Sequence, residues 1–105
     1  MNVFIIKENE IYLLNENNEK IAYVRFPKTS EKVVKVTSTY VSDTLRGQEI
    51  AGKLMDALYK ELKISNRKAI LICSYAVKWF EKNIDKQDVL WQDWFLPFYN
   101  IIINL

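Results

Sequence analysis

Cys73 and the stretch Arg46-Gly47-Gln48 are the residues whose types and positions could do chemistry. Cys73 closes the apolar run Ala69-Ile70-Leu71-Ile72 and precedes Ser74-Tyr75-Ala76-Val77, which reads as a helix start. A thiol in that place stands at the C-terminal edge of a sheet, under the positive end of a helix. Such a field lowers a thiol pKa and favours the nucleophilic thiolate. A lone Cys beside Ile and Leu is also read as a small buried hydrophobe. Arg46-Gly47-Gln48 separates a strand-like run from a helical one. A glycine turn that opens a helix aims free backbone N–H groups at whatever sits in the turn, a natural seat for a phosphate. An ordinary strand–loop–helix connection fits the same residues. Histidine is absent, which removes the commonest general base and the commonest metal ligand. With one Cys besides, no metal site is expected.

The elements that must position these groups follow from the apolar pattern. Val33-Val34-Lys35-Val36-Thr37-Ser38-Thr39-Tyr40-Val41 reads as one strand. Straight alternation puts Val34, Val36, Ser38 and Tyr40 on one face and Val33, Lys35, Thr37, Thr39 and Val41 on the other. Ile50, Leu54, Ala57, Leu58 and Leu62 then fall on one face of a helix, which fades near Ser65 with Asn66 as a left-handed cap. Upstream, Val3 to Ile6 and Ile11 to Leu14 form one strand or two short ones. Asn15-Glu16-Asn17-Asn18-Glu19-Lys20 is a turn, and residues 21–26 alternate as a half-buried strand paired back on the first. Pro27 stops that strand, and Lys28-Thr29-Ser30-Glu31-Lys32 reads as an exposed loop. Residues 69–73 suggest a strand buried on both faces and parallel to a neighbour. Ser74 is the expected N-cap of a helix over 75–83, with Ala76, Phe80 and Val77 inward, and residues 86–91 hold a last short strand. The class is α+β, a mixed α/β sheet: N-terminal antiparallel strands, then helix–strand–helix–strand packed on one sheet.

Composition bounds the rest. The chain has 105 residues, half of them apolar, enough for one small domain with a real core. Residues 1–91 are read as that domain and 92–105 as its apolar extension. A net charge of +2, without a basic run, gives no reason to expect nucleic acid. The single Cys excludes an internal disulfide framework and points to a reducing, cytoplasmic setting. No secretory signal is visible, and the apolar end, interrupted by Pro97 and Asn100, is too short for a membrane span.

The two reactive-looking stretches occur in a recognisable order. Thr37-Ser38-Thr39-Tyr40-Val41, then Arg46-Gly47-Gln48-Glu49-Ile50-Ala51-Gly52, then Cys73-Ser74-Tyr75-Ala76, with Gln87-Asp88-Val89 closing, resemble the GNAT superfamily of N-acetyltransferases. The chain looks most like its minimal single-domain branch, which carries a cysteine on the strand after the acetyl-CoA helix. The resemblance runs over about residues 33–91. It implies acetyl-CoA as cosubstrate and an amine as acceptor. It also implies backbone pairing of Thr39, Tyr40 and Val41 with the pantetheine arm, and a diphosphate cradle from the amides of Arg46, Gly47, Gln48, Glu49, Ile50 and Ala51. Cys73, with Ser74 beside it, would sit close to the thioester, as a transient acetyl acceptor or as a lining residue.

Two residues depart from that pattern. Ser38 stands where the family often has His, and serine is no general base near neutral pH. Glu49 stands where the motif has its second glycine; it adds a side chain and a negative charge next to an anion, although it suits the first turn of a helix. Tyr40 and Tyr75 are the replacement acid/base candidates. The departures support an alternative, a catalytically impaired binding or assembly module of the same fold, and Cys73 alone a third, a thiol sensor. Trp91, Trp94, Phe95, Phe98 and Tyr99 either fold back over the sheet or make an exposed patch that pairs two subunits.

Overall fold

A computed structural model of the chain describes residues 3–91. Its strands are β1 (Ile5–Ile6), β2 (Glu10–Leu14), β3 (Lys20–Arg25), β4 (Lys28–Ser30), β5 (Val33–Val36), β6 (Ser38–Val41) and β7 (Lys68–Leu71). Helix α1 (Ile50–Ser65) joins β6 to β7, and helix α2 (Ser74–Lys82) follows β7. Short 3-10 turns cover Asp43–Leu45 and Ile84–Val89. The class is the mixed α+β one expected from the sequence. The expected single sheet is two ladders, however: antiparallel β1-β2-β3-β6, and β4-β5-β7, in which β5 and β7 run parallel. The aromatic group from Trp94 to Tyr99, and the dimer contact suggested for it, lie outside the described residues.

One backbone feature explains the split. Thr37 donates its N–H to the Arg25 carbonyl, and Ser38 is also the ladder partner of Arg25. Two residues therefore oppose one, the signature of a β-bulge, which bends the strand and shifts its parity. Before the bulge, Val34 and Val36 are fully buried; after it, Thr39 and Val41 pair with the buried Val24 and Ala22. The straight alternation expected for 33–41 fails at this point. Ser38 and Tyr40 share the outward face, and Thr39 and Val41 take the core side.

Other departures have local causes. Lys28-Thr29-Ser30 is an edge strand rather than a loop; all three residues are exposed, so no apolar signal marks it. β7 is buried on one face only, with Ala69 and Leu71 inward and Ile70 half-buried, and it is parallel to β5 as expected. Residues 84–89 coil into a 3-10 turn, and strand-like pairing is confined to a bridge between Leu90 and Ala69.

Helix α1 has the stripe the sequence predicts, with Ile50, Leu54, Leu58 and Leu62 buried; Met55 joins them and Ala57 stays at the margin. It ends as expected at Asn66 (φ 54°). Asn66 N–H reaches the Lys63 carbonyl and Arg67 N–H the Leu62 carbonyl, a Schellman closure. Phe26, Phe80, Val89 and Leu90 complete one core shared by both ladders and both helices. Arg67 is 6% exposed and clamps the far end. Its Nε donates to Ser65 Oγ at 2.8 Å, its Nη1 to the Glu8 carbonyl at 2.8 Å, and its guanidinium lies 5.6 Å from the Phe26 ring centre. No described helix is long and apolar enough to cross a membrane.

Candidate active site

The site begins where β5 and β7 part. Their parallel ladder ends with the N–H groups of Ile72 and Cys73 both donating to the Val36 carbonyl, at 3.0 and 2.9 Å. Beyond Val36 the chain bulges into β6, an edge strand of the four-stranded sheet. Ser42 N–H bonds the Ile21 carbonyl, so by two-residue alternation Ser38 and Tyr40 turn their backbone groups to β3. Thr39 and Val41 turn theirs to the open edge.

Cys73 faces that edge. It is the N-cap of α2 (φ −65°, ψ 125°), one residue earlier than the Ser74 cap expected from the sequence, and it is half-buried. Its thiol donates to Thr39 Oγ1 at 3.4 Å. Burial pushes the thiol pKa up, but the Thr39 hydroxyl and the amides of Ala76, Tyr75 and Thr39, all aimed at the sulfur, outweigh it and hold the pKa below the ordinary thiol value. The helix amides favour the charge without closing a full cap hydrogen bond to the thiol. The neighbouring Tyr75 phenol is pushed up, first by burial and then by the Cys73 charge, so it keeps its proton at neutral pH.

The bulge separates the remaining candidates. Tyr40 packs against Tyr23 with ring centres 5.4 Å apart, on the face away from the core. Of the two tyrosines proposed as acid/base groups, only Tyr75 stands beside the sulfur. Ser38 also lies on the outward face, so a His at that position would not point at Cys73 in this geometry.

The turn before α1 is tight and left-handed at two residues, Gly47 and Glu49. Ser42 Oγ accepts the Thr44 N–H and starts the 3-10 turn Asp43–Leu45. Gly47 has φ +85°, open to glycine without cost. Glu49, the residue at the second glycine position, is also left-handed (φ 56°, ψ 34°). It is the N-cap of α1, outside the helical first turn where it was expected, and its side chain caps nothing. The N–H groups of Ile50, Ala51 and Gly52 thus open the helix without an intrahelical acceptor. The amides of Arg46 and Gln48 are occupied, bonded to the Asp43 and Leu45 carbonyls at 3.2 Å each. The Arg46 side chain pairs with Asp43 at 2.7 Å on the surface.

Sequence reasoning missed two contributors. The Thr39 side chain was overlooked because the bulge, invisible in the alternation, turns it to Cys73. Gly52 lies against α2: a Cβ there would meet Trp79 Nε1 at 3.8 Å and Tyr75 Oη at 3.9 Å. A glycine at the head of a helix beside aromatics four apart on the next one is a signal that could have found this contact.

The family model described as GCN5-related N-acetyl-transferase matches residues 10–89. A solution structure of a GCN5-like candidate N-acetyltransferase from Staphylococcus aureus is 31% identical, with a TM-score of 0.68 over 85% of this chain and 87% of that one. A GNAT-family N-acetyltransferase of Escherichia coli, solved in complex with CoA, shares the fold at 18% identity and a TM-score of 0.51, over 59% of this chain and 38% of that one. Ard1 of Thermoplasma volcanium does so at 16% identity and 0.56, over 72% and 54%. Comparison with curated proteins finds no match. With the family model matched over residues 10–89 and the Staphylococcus aureus structure 31% identical over most of both chains, the chain belongs to the GCN5-related N-acetyltransferase family.

Proposed function

We propose that the chain transfers the acetyl group of acetyl-CoA to a primary amine. The observation that carries this reading is the pairing of an open β6 edge beside Cys73 with an uncapped, left-handed entry into α1. The pantetheine arm would lie along β6 and pair with backbone groups of Thr39 and Val41. The amides of Ile50, Ala51 and Gly52, with those of Gly47 and Glu49, would hold the diphosphate, where helix-terminal N–H groups favour an anion. Arg46 would leave Asp43 to meet the phosphates. Holding amine and thioester together supplies most of the acceleration.

Two routes share this frame: the amine attacks the thioester directly, or Cys73 takes the acetyl group first. The lowered thiol pKa favours the second. In it the Cys73 thiolate attacks the thioester carbonyl, and the bond from that carbon to the CoA sulfur breaks. The departing sulfur takes a proton from Tyr75, which regains one from solvent. The amine then attacks acetyl-Cys73, loses a proton to solvent, and Cys73 leaves as the thiolate.

Titration with acetyl-CoA, followed by backbone amide shifts and melting temperature, tests the reading. Shifts are expected at Thr39, Val41 and Glu49 to Gly52, and no response at millimolar ligand would end it. Mass spectrometry after incubation without an amine separates the routes: acetylated Cys73 is expected, and an unmodified thiol in a chain that still acetylates amines would leave direct attack.

A further inference from the structure

Thr39 is the only side chain hydrogen-bonded to the thiol among the described residues, and its presence there depends on the bulge. Both its hydroxyl and its amide address the sulfur. Thr39 Oγ1 makes no other hydrogen bond among those described, so its proton is free to turn toward the sulfur once Cys73 is ionised. A threonine is poorly suited to taking a proton but well suited to stabilising a charge already formed. We propose that Thr39 is the positioning residue for Cys73, its hydroxyl holding the sulfur as a thiolate turned toward the open edge of β6. The proposal rests on the acetyl-transfer reading for its purpose, but not for its test.

The arrangement has a definite logic. A cysteine paired with histidine is ionised by giving its proton to the base. This chain has no histidine. The sulfur depends on donors alone: the hydroxyl and amide of Thr39 on one side and the head of α2 on the other. A rival account leaves everything to α2, because a helix N-terminus lowers a thiol pKa without help. Under that account the Thr39 hydroxyl is a bystander.

Thr39→Val keeps the shape and removes the hydroxyl, Thr39→Ser restores it, and Thr39→Ala guards against an ill-packed valine. The readout is the rate of iodoacetamide alkylation of Cys73 against pH, with thiolate absorbance as a second measure. Neither needs acetyl-CoA, so a protein that failed to bind the cofactor would still decide the question. The hydroxyl donates to a charged group, so its loss is expected to raise the apparent pKa by about one unit and cut alkylation about ten-fold near neutral pH. The valine and alanine variants should behave alike, and serine should recover the parent profile. Melting temperatures within a few degrees of the parent would show that the fold is intact. Superimposable profiles for the parent, valine and alanine proteins would overturn the proposal and leave the backbone amides, those of α2 and of residue 39, as the cause. A serine variant that tracks valine would overturn it equally.

Discussion

Replacing Glu49 by glycine should make the protein both more stable and a tighter binder of acetyl-CoA. Glu49 sits at φ 56°, ψ 34°, where an L-residue costs about 1–2 kcal/mol and glycine costs nothing. Glycine gives back about 0.5–1 kcal/mol through the freedom it adds to the unfolded chain. The net gain is about 0.5–1 kcal/mol, or about 3–6 °C in melting temperature for a chain of this size. The charge acts separately. One carboxylate roughly 7 Å from a diphosphate with about two charges contributes about 1.2 kcal/mol of repulsion in water, and about half of that at physiological salt. Its removal should tighten binding about 2- to 8-fold, more at low salt than at high. Glu49→Gln isolates this part, since it loses the charge but keeps the left-handed strain. Calorimetric titration at two salt concentrations, with melting curves of the free proteins, reads both effects. The reasoning fails if Glu49→Gly melts below the parent, or if both variants bind acetyl-CoA no better than the parent at low salt.

Three further outcomes follow from the same geometry. Gly47→Ala is expected to cost about 1 kcal/mol through its φ of +85° alone, because no atom stands within 4 Å of the added Cβ; urea unfolding measures it. Arg67→Met keeps the contact with Phe26 but strips the Glu8 carbonyl and the Ser65 hydroxyl of their donor, and should cost about 1–3 kcal/mol in the same assay. Asp88 is held below the usual carboxylate pKa, first by its hydrogen bond from Lys63 and then by one from Tyr59, against opposing desolvation. A depressed carboxylate contributes stability above its unfolded pKa and loses it as pH falls through the folded value. Asp88→Asn should therefore lower stability near neutral pH, by less than about 1 kcal/mol for so exposed a pair, with the difference shrinking in acid titrations as the pH falls through the lowered Asp88 pKa.

Much of this was legible from residue patterns because the signals were local. The α1 stripe, its Asn66 cap, the return strand read over 21–26 and found at Lys20–Arg25, and the parallel run of β7 rest on short-range periodicity, and they stand. What was hidden depends on partners distant in sequence. Val34 to Val41 reads as unbroken alternation until Arg25 is seen facing two residues, and one extra residue moves Ser38, Thr39, Tyr40 and Val41 to the opposite faces. The roles given to Ser38 and Tyr40 changed with it. The β4 strand was silent because an edge with three exposed polar residues has no apolar face to show. The Cys73 environment was half visible: its place at a strand-to-helix junction could be read, while its bond to a residue 34 positions away could not. Glu49 was read as a helix-stabilising acid because composition says nothing of φ; its backbone is instead left-handed, a conformation that favours glycine.

The indole of Trp79, set against the first turn of α1 at Gly52, supplies an optical gauge. The chain has three tryptophans, so Phe in place of Trp91 and Trp94 would leave Trp79 as the sole tryptophan. On the acetyl-transfer reading, its fluorescence would then report, without any attached dye, a nucleotide arriving at the head of the helix and leaving it.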